Sequence, residues 1–290
     1  MTIKQRSVRC LSPSGLHRMN YYEWGERDNP RVLVCVHGLT RNARDFDRLA
    51  QALSGHYRVV CPDVVGRGLS GWLRDPAAYT IPQYVADMVT LLARLDVETV
   101  HWLGTSMGGL IGIALAAQEN SPVMRLVLND VGPSITRQSL QRIAAYVGAD
   151  PDWATPAEAL AYLREISAPF GTLSEVQWLE LTESSIRQRP DGRWGFRYDP
   201  RIAEPFRAAF GDGDISLWPL YEAIRCPTLA IRGADSDLLA CDTWQRMGAS
   251  GPRAELAEIS GVGHAPMFLS DDQIDVVRNF LLHEIGRAHV

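Results

Sequence analysis

The sequence predicts an α/β protein: a mostly parallel central sheet flanked by helices, with a helical segment inserted ahead of the last strands. Three observations carry this reading. Short apolar runs alternate with amphipathic stretches over residues 31–130 and again over 227–283. The alternation breaks between about Pro133 and Pro219. Four glycines (Gly104, Gly108, Gly109 and Gly112) crowd around Ser106 in "HWLGTSMGGLIGIALA", 101–116. Each interior glycine would cost a helix roughly 0.5–1 kcal/mol relative to alanine, so this stretch reads as a sharp corner between a strand and a helix.

The elements follow in order. "RVLVCVHG" (31–38) is β-branched, nearly continuous and ends on glycine, as a strand covered on both faces would. "YRVVCPD" (57–63) repeats the pattern. "TIPQYVADMVTLLARLD" carries apolar residues at 81, 84, 85, 88, 91, 92 and 95, one helical face, with Thr80 as its N-cap. "TVHWLG" (99–104), "MRLVLND" (124–130), "PTLAIRG" (227–233) and "AELAEIS" (254–260) complete the strands. Within the insertion, "TPAEALAYLREI" opens on a capping box, Thr155 to Glu158, with Pro156 in the first helical position. "SEVQWLEL" repeats the box with Ser174 and Gln177, and "RPDGRWGFRYDPR" (189–201) is a turn-rich connection. The expected division is a core of residues 1–132 and 220–290 and a helical cap, 133–219, over one end of the sheet.

Composition narrows the function classes. The chain has 290 residues, 46% hydrophobic and 22% charged, ordinary for a soluble globular enzyme. A net charge of −5 without any basic run argues against a nucleic-acid partner. The five cysteines (Cys10, Cys35, Cys61, Cys226 and Cys241) are odd in number and widely spaced. They form no C-x-x-C pair and no His/Cys cluster at metal-ligand spacing, so no metal is expected and free thiols in a reducing compartment are. Lys4, Arg6 and Arg9 have no apolar run behind them, and no apolar stretch reaches membrane-spanning length. The expectation is a cytoplasmic protein without a membrane partner, its oligomeric state left open.

Gly104-Thr105-Ser106-Met107-Gly108 matches G-x-S-x-G, which places a serine on a strained bend at the edge of a sheet. The strand "TVHWL" precedes it and the apolar "LIGIALAAQ" follows, the context this motif requires. Here the chain resembles the α/β-hydrolases of the lipase/esterase superfamily, over nearly its whole length, with the insertion matching their variable cap. The resemblance implies that Ser106 is the nucleophile. It also implies that the loop "VHGLTRN" (36–42) builds the oxyanion hole from the N–H groups of Leu39 and Met107. Such donors are typically worth ~2.7–4 kcal/mol each. Gly38 would let the substrate carbonyl approach, and His37 would brace the loop. Arg41 beside it is either a structural ion pair or a holder of a substrate carboxylate.

A serine hydroxyl needs a base within hydrogen-bond reach. Of seven histidines, His37 belongs to the oxyanion loop, His101 to the strand before the serine, and His17 and His56 lie too early. His283 and His289 fall in or beyond the terminal helix. His264, in the loop "SGVGHAPMF" after the final strand, is the expected base. For the orienting acid, "IRGADSDLL" offers Asp235 and Asp237. Resemblance to relatives with a Ser-Asp-apolar turn selects Asp237. Asp235 and Asp130 (in "LVLNDVGP") stand as alternatives, since some relatives place the acid after the preceding strand.

"GRGLSG" (66–71) matches a dinucleotide fingerprint, with Asp87 following about 20 residues on. Pro76 stands where the required helix should run, so the stretch reads as the family's D-x-x-G-x-G-x-S loop, and no cofactor is expected. The insertion concentrates aromatics: Trp153, Phe170, Trp178, Trp194, Phe196, Tyr198, Phe206, Phe210 and Trp218. Most would glue the subdomain together, one or two lining an apolar acyl or alcohol pocket. Its arginines (Arg187, Arg189, Arg193, Arg197, Arg201, Arg207) read as a solvated or ion-paired face.

The function these parts imply is a cofactor-independent serine hydrolase cleaving a small-molecule carboxylic ester or lactone through an acyl-enzyme. One alternative is a hydrolase of carbon–carbon bonds in ring-cleavage products, which uses the same triad but usually a different glycine-rich oxyanion loop. The other is a non-catalytic ligand-binding receptor on the same fold.

Overall fold

The computed structural model describes residues 3–208 and 213–283. Phe210 and His289 lie outside the described residues. The chain opens on an antiparallel hairpin, β1 (Lys4–Ser12) and β2 (Gly15–Trp24), followed by β3 (Val32–Val36), helix α1 (Asp47–Leu53) and β4 (Arg58–Pro62). Next come α2 (Ile81–Leu95), β5 (Val100–Thr105), α3 (Met107–Ala116) and β6 (Val123–Asn129). The stretch up to residue 227 holds β7 (Ser134–Ile135), α4 (Arg137–Tyr146), α5 (Pro156–Ile166), α6 (Glu175–Ser185), β8 (Ile186–Gln188) and β9 (Trp194–Phe196). It continues with α7 (Ala203–Ala208), β10 (Ile215–Ser216) and α8 (Trp218–Ala223). The chain then returns to the sheet with β11 (Thr228–Gly233), α9 (Cys241–Ala249), β12 (Glu255–Ile259) and α10 (Asp271–Leu282).

The eight-stranded sheet runs β1-β2-β4-β3-β5-β6-β11-β12. From β4 to β12 every neighbouring pair is parallel. Its central strands are buried along their full length, as the continuous apolar runs require when helices cover both faces. One core lies under α2 and α3, around Trp102, Met88 and Ile111; the other lies under α1 and α10, around Phe46, Leu103 and Phe280. The β1–β2 hairpin pairs antiparallel through Tyr21–Trp24 with β4. Charged residues crowd β1 ("KQRSVRCLS"), whose pattern is that of an edge strand half in solvent.

The helix starts behave as their chemistry dictates. Ser174 and Gln177 form a reciprocal capping box on α6. Thr155 accepts from the Glu158 N–H, but the Glu158 carboxylate reaches back to the Ala154 N–H instead of the cap residue's own. Thr80 precedes α2 without a side-chain cap bond, and Pro82 occupies the first turn.

Between β6 and β11 the aromatics mostly pack on one another. Phe196 stands edge-on to Trp153 at 5.1 Å and stacks on Tyr198 at 5.2 Å. Arg189 and Arg193 pair with Asp150 and Asp152, and Arg201 with Asp199. No helix among the described residues is long and apolar enough to cross a membrane.

Candidate active site

The glycines around Ser106 are dictated by close approach. A Cβ on Gly104 would stand 2.2 Å from the backbone of Gly108, and one on Gly108 would stand 2.0 Å from the Val36 carbonyl oxygen. Gly109 and Gly112 press on Val131 and Trp102. Strand β5 and helix α3 therefore cross too closely for any side chain at the corner. Ser106 takes the strain, at φ 51° and ψ −115°. Its N–H donates to the Asn129 carbonyl of the next strand at 3.0 Å, which sets the corner against β6.

His264 arrives from the loop after β12. That loop is pinned at three points. The Asn129 amide donates to the Pro266 carbonyl (2.8 Å), and the Gly263 N–H donates to the Pro169 carbonyl (2.7 Å). The bare Cα of Gly233 lets the Gly263 carbonyl pass, since a Cβ there would lie 2.3 Å from its oxygen. So held, His264 Nε2 lies 3.0 Å from Ser106 Oγ.

The carboxylate at the other ring nitrogen is that of Asp130, whose Oδ2 lies 2.7 Å from His264 Nδ1. This corrects the expectation of Asp237. Asp130 directly follows β6 at φ 53°, is fully buried, and accepts two further bonds. These come from the Gly233 N–H on Oδ1 (2.8 Å) and from Ser236 Oγ on Oδ2 (2.6 Å). After β11 it is Ser236 that turns inward, so its neighbours Asp235 and Asp237 turn out into solvent. The Asp237 carboxylate pairs with Arg142 of α4.

The loop after β3 is equally fixed. His37 is completely buried; Nδ1–H donates to the Gly38 carbonyl (2.7 Å) and Nε2 accepts the Val64 N–H (2.9 Å). Burial lowers its pKa to about 3, so it stays neutral. A Cβ on Gly38 would lie 3.7 Å from the Ser106 Cβ, in ordinary contact, so the loop passes beside the serine at Gly38. Met107 opens α3, where its N–H has no intrahelical acceptor. Arg41 is engaged within the protein: Nε donates to Asp45 Oδ2 at 2.9 Å and the far nitrogen pairs with Oδ1, while the third donates to Ser185 Oγ at 2.8 Å. Of the two roles considered, the structure shows the ion pair, with Asp45 holding the Nε–Nη2 side of the guanidinium.

Three residues at the site escaped the sequence reading: Arg67, Asn129 and Ser236. Arg67 is a fully buried cation whose Nε donates to the Leu39 carbonyl (2.8 Å), with a terminal nitrogen 3.6 Å from the Met107 sulfur. It thus ties together the two residues expected to hold the oxyanion. The loop 66–71 serves it by turning tightly on Gly66 and Gly68, against the buried Asp63 carboxylate that accepts from Asn20, Ala43 and Leu69. Only that D-x-x-G-x-G-x-S resemblance hinted at Arg67.

Two other features lie apart. A cleft of about 790 Å³ opens between α1 and α6, lined among others by Tyr22, Asn42, Leu181, Arg197 and Met267, but not by Ser106 or His264. The topology also gathers Cys10 and His17, paired across the hairpin, with Asp87 of α2, their ligand-capable atoms within 4.8 Å, a grouping their spacing concealed. Both Asp87 oxygens are committed, to His17 Nε2 (2.9 Å) and to the Gln83 amide (2.8 Å). Burial and that carboxylate push the Cys10 thiol up to about 12. The group is a hydrogen-bonded tie between hairpin and helix.

Known proteins share this architecture. A curated relative, the 3-hydroxybutyrate-oligomer hydrolase of Cupriavidus necator, is 53% identical over 280 residues, covering 94% of this chain and 96% of its own. Esterase YbfF of Escherichia coli is 26% identical over 81% of this chain and 87% of its own. The crystal structure of an α/β hydrolase from Novosphingobium aromaticivorans superimposes with a TM-score of 0.85 at 36% identity, covering 96% of this chain and 98% of that one. Residues 31–271 match the model of the α/β hydrolase fold, and the chain belongs to that family.

Proposed function

We propose that the protein is a serine hydrolase of carboxylic esters that works through an acyl-enzyme, with Ser106 as nucleophile, His264 as base and Asp130 as the orienting acid. The observation that carries this reading is the unbroken relay Ser106 Oγ–His264 Nε2 (3.0 Å) and His264 Nδ1–Asp130 Oδ2 (2.7 Å) on a serine at positive φ. Ser106 Oγ attacks the ester carbonyl and its proton passes to Nε2. The Leu39 and Met107 N–H groups, braced by Arg67, receive the oxyanion at the positive end of α3. The Nε2 proton then goes to the departing alkoxide; in the second half the same nitrogen takes a proton from the attacking water and returns it to Ser106 Oγ as the acyl bond breaks, which restores the resting state. Nδ1–H stays hydrogen-bonded to Asp130 throughout, which holds the reactive tautomer. No step in this sequence needs a cofactor.

The bare Cα of Gly38 fits a substrate carbonyl better than a packing demand, since a methyl there would meet the protein only at ordinary contact distance. Residues 133–219 serve as the cap over this edge, their Pro169 carbonyl bonded to the histidine loop. The 53% identical relative directs the substrate class to short linear esters of 3-hydroxybutyrate. Free cysteines, three of them buried, support a reducing, cytoplasmic setting.

The test is direct. A fluorophosphonate probe should label the protein once, and Ser106→Ala should abolish both labelling and release of 3-hydroxybutyrate from its dimer and trimer. Equal labelling of the Ser106→Ala protein would overturn the nucleophile. Turnover of p-nitrophenyl butyrate without turnover of the oligomers would overturn the substrate class alone.

A further inference from the structure

We infer that Ser236 is a positioning residue for the reaction: it acts through Asp130, and rests on the reading of Asp130 as the orienting acid. The geometry fixes what its hydroxyl can do. Ser236 Oγ accepts the N–H groups of Leu238 (3.2 Å) and Leu239 (3.1 Å), which occupy its lone-pair side. Its single proton is thereby aimed at Asp130 Oδ2, 2.6 Å away, making the hydroxyl an obligate donor. That oxygen is the same one that faces His264 Nδ1.

A carboxylate held by one bond can rotate about its terminal torsion, which is broad and soft. Asp130 cannot, because the Gly233 N–H fixes Oδ1 and Ser236 fixes Oδ2. The imidazole therefore meets an acceptor whose plane is set before substrate arrives. Both clamps come from the end of β11 and the corner that follows it, and β11 lies between β6 and β12 in the sheet. The corner that was expected to supply the acid supplies its clamp. The nearest cation on that corner, Arg232, shares Nη1 between Glu258 and the Ala234 carbonyl, with Nε on the Leu239 carbonyl and Nη2 3.5 Å from the Ser236 carbonyl. It stiffens the turn without touching the carboxylate.

The experiment is a double-mutant cycle on the full-length enzyme with p-nitrophenyl butyrate, thermal unfolding being recorded for each protein. Ser236→Ala should lower kcat about 10-fold, as loss of one hydrogen bond to a charged group does, with KM changed less than about 2-fold. Ser236→Thr, which keeps the hydroxyl, should restore kcat. In an Asp130→Ala background, adding Ser236→Ala should cost nothing further, because its target is gone. An equal loss in both backgrounds would reduce Ser236 to a structural role and overturn the inference. So would an unchanged kcat in Ser236→Ala while Asp130→Ala is crippled. An unimpaired Asp130→Ala enzyme would instead overturn the assignment of the acid, a different outcome on the same plate. Should Ser236→Ala not fold, Ser236→Cys keeps the volume with a weaker donor and should fall between alanine and serine. A kcat equal to wild type in that variant would count against the inference.

Discussion

Asp130 and His264 lie 134 positions apart in the chain, yet carboxylate and imidazole meet at 2.7 Å across the end of a strand to which neither belongs. Asp130 follows β6, His264 follows β12, and β11 runs between them. The acid reaches over the last residue of that strand, Gly233, and is held there by its N–H. Asparagine at 130 keeps the shape but presents either an N–H or a weaker acceptor to Nδ1, disturbing the tautomer. Asp130→Asn should lower kcat by ~10³–10⁴, the scale seen when a triad acid is neutralised. Asp237→Asn should stay within about 2-fold, because its exposed pair with Arg142 is a surface ion pair. Steady-state rates on p-nitrophenyl butyrate check both, and the reverse ranking would refute the assignment.

Alanine is the better helix former, so Gly108→Ala should gain ~1 kcal/mol from propensity alone. The Val36 carbonyl, 2.0 Å from the new methyl, reverses the sign. Overpacking against backbone typically costs ~1–3 kcal/mol or more. The melting temperature should drop by about 5 °C, and activity should fall further as the Met107 N–H is displaced. Gly55→Ala is the control, since nothing lies within 4 Å of its added carbon. Calorimetry on the two variants separates a general intolerance of alanine from a collision at the corner.

Stability should fall as acid is added, and the buried His37 and the partly buried His101 set the window. The pKa of His37 is lowered to about 3 by burial, that of His101 to about 4 by burial and by Arg125 and Arg31. Above ~6.5, their unfolded value, both are neutral in both states and contribute nothing. Between ~6.5 and 4 the unfolded chain binds protons that the folded chain refuses, so stability is lost as pH falls, by up to about 1.4 kcal/mol per pH unit for each. His101 contributes less than His37, because solvent reaches part of it. Below the folded values the loss levels off. Denaturant unfolding of wild type and His101→Gln between pH 7 and 4.5 isolates one such slope. Groups such as Asp63, whose raised pKa acts with the opposite sign, cancel in the difference. A slope unchanged by the substitution would contradict the prediction.

The fold was legible because buried parallel strands write themselves as apolar runs. "RVLVCVHG" (31–38), "YRVVCPD" (57–63) and "PTLAIRG" (227–233) each fall within a residue or two of the observed strand ends. The β1–β2 hairpin was not, because β1 lies at the sheet edge, where Lys4, Arg6 and Arg9 are as acceptable as apolar residues. The meeting of Ser106 with His264 was legible for a local reason: glycines surround each, as a tight corner requires. The acid has no local signature. Asp130, Asp235 and Asp237 all follow parallel strands, and what separates them is the direction each side chain takes after its strand ends. That direction depends on the positive φ of Asp130 and on Ser236 turning inward, neither of which a pattern of residue types reveals.

The shared oxygen between Ser236 and His264 makes a stronger prediction, that acid and clamp can be exchanged. In Asp130→Ser the imidazole loses its carboxylate, and kcat should fall ~10³-fold or more. Adding Ser236→Asp puts a carboxylate on the corner after β11. The Leu238 and Leu239 N–H groups that now bond Ser236 Oγ are placed to receive it, as an aspartate takes the same turn as a serine. The serine at 130 can accept the Gly233 N–H and donate its own proton to the relocated acid, the reverse of the present arrangement. Against this works the added charge between Asp235 and Asp237, and in its favour the Arg232 guanidinium at the base of the turn. The double variant should recover about 10-fold or more over Asp130→Ser, measured as kcat on p-nitrophenyl butyrate, the recovery one charged hydrogen bond supplies. A folded double variant no faster than Asp130→Ser would mean that the two corners do not converge on the same face of the imidazole.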